Sequence, residues 1–175
     1  MRQLLTHTSG LGYGFLEPRD GPYHAAGVSD GLDQPGLSIE ENLRRLAGVP
    51  LTFTPGTRFL YSLSYDVLGA LIARVTGASL PEAVAQAVTG PLEMTSASFT
   101  PRDPAALATA YADGKPEPVR MVDGIYVPFA GAGATFAPSR ALDPRSYPSG
   151  GAGMIGTAED FHRFLEALRE SPPCC

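Results

Sequence analysis

Thr54-Pro55-Gly56-Thr57-Arg58-Phe59-Leu60-Tyr61-Ser62-Leu63-Ser64-Tyr65 is the stretch on which the reading of the fold turns. The Pro-Gly pair predicts a turn. Beyond it, Leu68, Leu71, Ile72 and Val75 recur at the spacing of one helix face. Gly77 supplies a left-handed stop, so the pattern predicts a helix from about Ser64 to Thr76. Tyr61 then stands on a rigid loop end directly before that helix. Spacing alone leaves two roles open for it: a phenol presented to a substrate, or a buried ring stapling the helix entry.

The same punctuation continues on both sides. Upstream, Ser38-Ile39-Glu40-Glu41 has the form of a capping box, in which the hydroxyl and the carboxylate each take a free backbone N–H. Ile39, Leu43 and Leu46 follow on one face, and Gly48 and Pro50 stop the helix. Downstream, Ser79-Leu80-Pro81-Glu82 opens a third helix with an apolar face of Leu80, Val84, Ala87 and Val88, ended by Gly90-Pro91. A short helix is predicted after Asp103-Pro104. Residues 113–150 are rich in Gly and Pro, and Val119–Met121 with Ile125–Val127 predicts one small hairpin around Val122-Asp123-Gly124. A last helix is predicted from Thr157, with Asp160 as its capping acid and Phe161, Phe164, Leu165 and Leu168 as its stripe. There is no internal repeat and no alternation of strands and helices that would build a doubly wound sheet.

Bulk properties narrow the classes. A chain of 175 residues, 43% of them hydrophobic, is long enough for one domain with a real core. A net charge of −5 without a basic stripe argues against a nucleic-acid partner. The longest charge-free run, Gly124–Ser139, is broken by Pro128 and Pro138 and is too short to span a bilayer, so no membrane partner is expected. The N-terminus carries no basic-then-apolar signal pattern. His7, His24 and His162 are far apart and the two cysteines are adjacent at positions 174 and 175, so no metal site is expected. The tail 171–175 is expected to be unstructured.

Three places could carry chemistry. Gly27-Val28-Ser29-Asp30-Gly31 fits the G-x-S-x-G pattern, in which a strand delivers a serine into a tight turn and a helix leaves it. Here the upstream segment is a poor strand and Leu32-Asp33-Gln34-Pro35-Gly36 cannot be a helix, so a plain loop is the preferred reading. Tyr61 is the second candidate. His7, before Thr8-Ser9-Gly10, is the third, and a structural role suits a lone histidine of this kind best.

Several motifs in order resemble one family. Leu4-Leu5-Thr6-His7-Thr8-Ser9-Gly10-Leu11 resembles the "LLTHTSGL" block of serine β-lactamase-related proteins. Pro55–Ser62 resembles their "PGT-x-F-x-YS" stretch. Leu68-Gly69, Thr76-Gly77 and Pro91–Met94 resemble "LG…TG…PLGM". Ser149–Met154 with Thr157–Asp160 resembles the late "GG…STA-x-D" block. The family comprises class C β-lactamases, DD-peptidases and family VIII carboxylesterases, and the last are the most similar.

The resemblance implies an α+β, β-lactamase/transpeptidase-like fold, of which this chain holds mainly the helical domain. Residues 1–10 would end a sheet-domain helix, 11–156 would form the helical domain, and 157–170 would return to the sheet domain. It further implies that Tyr61 is the catalytic tyrosine, moving the proton off a serine and onto the leaving group. Tyr13, Phe15 and Leu63 would line the substrate site. Leu63 stands where β-lactamases usually have Asn, and a leucine that cannot donate a hydrogen bond implies a drier site suited to esters. The family's S-x-x-K is absent: Lys115 is the only lysine, and Ala112 stands three residues before it. The chain is therefore expected to be an internal fragment, lacking the nucleophile and a late oxyanion-hole motif, with apolar faces left exposed.

The implied activity is hydrolysis of short-chain esters through an acyl-enzyme, with weak β-lactam hydrolysis allowed. No cofactor is implied. The expected partners are a small-molecule ester and the missing sheet-domain segments of the parent chain. A tyrosine with an ordinary pKa near 10 is ionised in about one molecule in a thousand at pH 7, and closing that gap takes about 4 kcal/mol from neighbouring cations. Without the S-x-x-K lysine the chain alone is expected to be inactive. Two other readings stay open: an α/β-hydrolase using Ser29, and a non-catalytic binding or assembly unit.

Overall fold

The structure is a computed structural model, and it describes residues 1–129 and 132–170. Its organising feature is a seam of main-chain bonds between residues 7–12 and the stretch leading to Tyr61. The amides of Thr52, Gly56, Leu60 and Leu63 donate to the carbonyls of Gly10, Thr8, His7 and Gly12 at 2.8, 2.7, 2.8 and 3.1 Å. Gly10 makes the seam sterically feasible. Its φ is +84°, and a Cβ there would lie 2.4 Å from the Phe53 carbonyl oxygen.

The helices follow their caps. A first short helix, α1, covers Arg2–Leu5, and α2 covers Pro22–Ala25. Helix α3, Ile39–Ala47, starts where the Ser38 hydroxyl accepts the Glu41 N–H at 3.2 Å. The expected reciprocal bond from the Glu41 carboxylate is replaced. Arg44 and Arg45, three and four residues on, take that carboxylate at 2.7 and 2.8 Å. Arg45 also donates to the Gly27 carbonyl and to Gln34, both at 2.7 Å, tying the 27–34 loop to α3. Helix α4 spans Ser64–Thr76 and ends at Gly77 in the left-handed region, φ 69°. Helix α5, Leu80–Val84, has both halves of the Ser79–Glu82 capping box and runs on into one wider turn, Ala85–Thr89. Asp103 caps a single turn, Pro104–Ala106. The last helix, α6, covers Ala158–Glu170, and Thr157 caps the Asp160 N–H at 3.2 Å. The Asp160 carboxylate is buried and holds the Ser96 N–H at 2.7 Å.

The strands depart from expectation. Val119–Arg120 (β2) pairs with Tyr111–Ala112 (β1), and Ile125–Phe129 (β3) pairs with Ala132–Phe136 (β4) in register Ile125↔Phe136. The predicted hairpin between 119–121 and 125–127 does not form. The turn residues bond elsewhere: Asp123 takes the amide and hydroxyl of Ser139, and the Gly124 N–H donates to the Phe136 carbonyl at 2.9 Å.

The core gathers Tyr13, Tyr23, Val28, Leu46, Val49 and Leu63 beneath the seam. The α6 stripe faces solvent instead, with Phe161 59% and Leu168 57% exposed, and on α4 Val75 is 74% exposed. Among the described residues no single helix is long and apolar enough to cross a membrane. The tail at 171–175 lies outside the described residues.

Asn42 locks the 27–31 loop to the segment near residue 147. Its Oδ1 accepts the Ser29 N–H at 2.8 Å, and its Nδ2 donates to the Ser29 carbonyl and the Tyr147 hydroxyl at 3.0 and 3.1 Å. Replacing it with alanine leaves buried polar groups without partners, at about 1–3 kcal/mol each. We expect Asn42→Ala to lower unfolding free energy by about 3 kcal/mol or more, read as a fall in the urea midpoint at unchanged m-value.

Candidate active site

Tyr61 leaves the seam one residue after Leu60 and three residues before α4, so its backbone is fixed from both sides. Its side chain is 47% exposed. The ring packs on His7, with centroids 4.8 Å apart, and on Tyr13 at 5.2 Å. The ring is thus held by aromatic neighbours while about half of the residue stays open to solvent.

His7 is a support in this arrangement. It is buried, with φ 50°, and touches the rings of Phe59 and Tyr65 as well. Its Nδ1 lies 3.3 Å from the Ser62 hydroxyl. A buried hydroxyl chain continues from there, Ser62 to Ser64 at 2.7 Å and Ser64 to Ser9 at 2.8 Å, ending on the Leu11 N–H. Burial lowers the His7 pKa. The serines that flank Tyr61 are therefore structural: they join the first motif to the second.

The expected substrate-lining residues divide. Leu63 is 1% exposed and belongs to the core with Tyr23, Val28 and Leu46. It cannot line a substrate site, because its side chain points beneath the seam. Tyr13 is 5% exposed and stacks on Phe15 at 4.4 Å, so it lies under Tyr61 and does not form a wall. Burial first, and then the charge of Asp66 and contact with Tyr61, push the Tyr13 pKa far up. Phe15 is half-buried and packs against the core. Its position is set by Asp30, whose carboxylate accepts the N–H groups of Gly14 and Phe15 at 2.7 and 2.9 Å. Burial raises Asp30 to about 6 against the opposing pull of those two amides.

Ser29 is removed from the candidates. It is fully buried, its hydroxyl donates to the Asp33 carboxylate and accepts the Gly31 N–H at 3.2 Å, and its amide is held by Asn42. A serine with no solvent access and a carboxylate in place of a base is a loop fastener. Among the described residues no group of three or more His, Cys, Asp or Glu is arranged to hold a metal ion.

One group escaped the sequence reading. Asp66, in the first turn of α4, is 3% exposed, and neither carboxylate oxygen has a hydrogen-bond partner at good geometry. The Ser149 hydroxyl and the amides of Gly150 and Gly151 surround it and lower its pKa, but less than burial raises it. Ser149 accepts the N–H groups of Gly151 and Ala152 at 3.2 and 3.1 Å, leaving its own proton free to face Asp66. From sequence, an acid in a first helical turn is explained by the helix dipole alone. The glycine pair after Ser149 was the available hint of a close approach.

Residues 1–173 match the family model described as Beta-lactamase. Esterase EstB of Burkholderia gladioli is 51% identical over 175 residues, covering 98% of this chain and 45% of that protein. The solved structure of EstCE1, described as a hydrolase with promiscuous acyltransferase activity, superposes with a TM-score of 0.92 at 44% identity, covering 96% of this chain and 45% of that one. A penicillin binding protein from Bacillus halodurans shares the fold, with a TM-score of 0.62 at 23% identity over 96% of this chain and 45% of its own. The chain thus spans less than half the length of these relatives.

Two outcomes check these placements. Leu63→Asn inserts an amide into an apolar core, and we expect a loss of about 3 kcal/mol of stability by chemical denaturation, with no new surface site for ligands. Asp30 gives a pH signature. Its folded pKa of about 6 lies above the unfolded value near 3.9, so the folded chain holds the proton more tightly. Its contribution is therefore fullest below pH 4 and is lost as pH rises to about 6. Comparing Tm with Asp30→Asn across pH 4–7 should show that part of the slope vanish in the variant.

Proposed function

The chain belongs to the beta-lactamase family, and we propose that it carries the tyrosine half of the active site of a serine carboxylesterase. The observation that carries this is the half-exposed Tyr61 phenol, fixed between the seam and α4 and packed on His7 and Tyr13. The esterase relative at 51% identity and the hydrolase structure at a TM-score of 0.92 support ester over lactam chemistry. Leu63 no longer contributes to that choice, because it sits in the core.

In the proposed reaction a serine oxygen attacks the ester carbonyl and forms an acyl-enzyme with release of the alcohol. Water then attacks the acyl-enzyme and releases the acid. Tyr61 would take the serine proton as the new C–O bond forms and return it to the departing alcohol oxygen. The serine and a cation beside the phenol would come from an S-x-x-K, which this chain does not contain. An oxyanion hole, usually the largest single contribution, would also have to be supplied with them.

For the chain by itself we expect no hydrolysis of p-nitrophenyl butyrate above the buffer rate. Intact mass should be unchanged after treatment with a fluorophosphonate; stoichiometric modification of a serine in this chain would overturn the assignment. In a protein whose reading frame extends upstream to an S-x-x-K, Tyr61→Phe should lower kcat for that ester about 10²–10⁴-fold. A frame without any S-x-x-K would instead favour the non-catalytic binding role.

A further inference from the structure

The buried acid Asp66 has no role in the scheme above, yet its surroundings are specific. If Gly151 carried a methyl group, that carbon would lie 3.1 Å from the Tyr13 hydroxyl, 3.6 Å from Asp66 Oδ2 and 3.8 Å from the Ser149 hydroxyl. The missing side chain thus leaves one small polar space shared by these three groups. Asp66 is 3% exposed, and neither of its oxygens has a well-formed hydrogen bond although the Ser149 hydroxyl and the Gly150 and Gly151 amides face it; Tyr13 is 5% exposed beneath Tyr61. An unpartnered carboxylate in such a place draws any donor that can turn toward it.

We propose that Asp66 is a positioning residue for Tyr61, acting through Tyr13, whose single O–H can be given to only one of the two at a time. With Asp66 ionised, the Tyr13 O–H turns to the carboxylate. The Tyr61 oxygen then receives no donor from beneath and its lone pairs are free to face the solvent side. With Asp66 protonated that pull ends and the Tyr13 O–H is free to turn to the Tyr61 oxygen. No bond to carbon is made or broken; only the direction of O–H donation from Tyr13 changes. The physical setting agrees: both Asp66 and Tyr61 act on Tyr13 in the sense that holds its proton in place, as two acceptors of one O–H do. This inference rests on Tyr61 being the proton-transferring group.

The groups that face these residues are few. Arg140 and Tyr147, from the segment before Ser149, act electrostatically with Asp66, and Asp30 acts on Tyr13 from the other side. His7 touches Tyr61 directly. A pH effect on Tyr61 could therefore arrive by Tyr13 or by His7, and the experiment has to separate the two.

The chain itself, labelled with ¹³C at tyrosine Cζ and aspartate Cγ, provides the test, with Tyr61 assigned by Tyr61→Phe. In the unsubstituted chain the Tyr61 Cζ signal should shift in step with the Asp66 Cγ titration. The shift should vanish in Asp66→Asn and in Tyr13→Phe, while a component following the His7 ring survives in both. A Tyr61 signal that ignores the Asp66 titration in the unsubstituted chain overturns the proposal, even if neither variant folds. So does a shift that persists in folded Tyr13→Phe. The measurement needs no serine and no turnover. Its failure leaves the esterase assignment standing, and loss of that assignment is read separately from Tyr61→Phe kinetics.

Discussion

The main-chain seam between residues 7–12 and 52–63 is the constraint on which the rest depends. Each of its bonds is worth only about 0.5–1.5 kcal/mol net. Their value is geometric, because they set two remote segments in a single register. That register places His7 under Tyr61, joins Ser62 and Ser64 to Ser9, and drives Leu63 into the core. The Tyr23 hydroxyl completes it by accepting the Gly12 N–H at 2.7 Å. A single non-glycine residue at position 10 would meet the Phe53 carbonyl before the seam could close.

What the sequence made legible was local. Ser38, Ser79 and Thr157 mark helix starts through bonds that span three residues, and Gly77 marks a stop through its own backbone conformation. Such signals need no knowledge of the rest of the chain. Pairing of strands does need it, and that is where expectation failed. Val119 and Ile125 looked like two arms of one hairpin, but Asp123 found the amide of Ser139, and the two arms paired with different partners. The missing half of the Ser38 capping box has a similar cause: Arg44 and Arg45 compete for the Glu41 carboxylate with stronger, charge-assisted bonds.

At the candidate site, motif resemblance singled out Tyr61 but did not say which neighbours point up and which point down. Leu63 is two residues from Tyr61, a spacing that an extended backbone would keep on one face, but the chain turns into α4 at Leu63 (φ −59°, ψ 9°) and carries the side chain into the core. Tyr13, expected as a lining residue, is buried with its ring against that of Tyr61, a floor under the phenol and not a wall beside it. Ser29 matched a catalytic pattern, but its amide and hydroxyl are both fastened within the fold. For Ser29 the poor strand and the missing helix around it already favoured a loop; for Leu63 and Tyr13 no such local signal existed. A pattern specifies residue type and spacing, whereas solvent access depends on contacts made many residues away.

Two acids flank Tyr13, and their contrast shows how burial is to be read. Both are pushed toward the neutral form by burial. Asp30 answers that cost with two short amide bonds, and the result is a loop held in place, with Gly14 and Phe15 fixed. Asp66 is more deeply set, and the Ser149 hydroxyl and the Gly150 and Gly151 amides that face it do not close into well-formed bonds like those on Asp30. A carboxylate that only anchored the start of α4 could do so from the surface, as first-turn acids commonly do. Retaining it in the interior with oxygens unspent is unfavourable unless a donor turns to it part of the time. Beside the Gly150 and Gly151 amides, the side-chain donors within reach are the Ser149 and Tyr13 hydroxyls, and the second belongs to the ring on which Tyr61 rests.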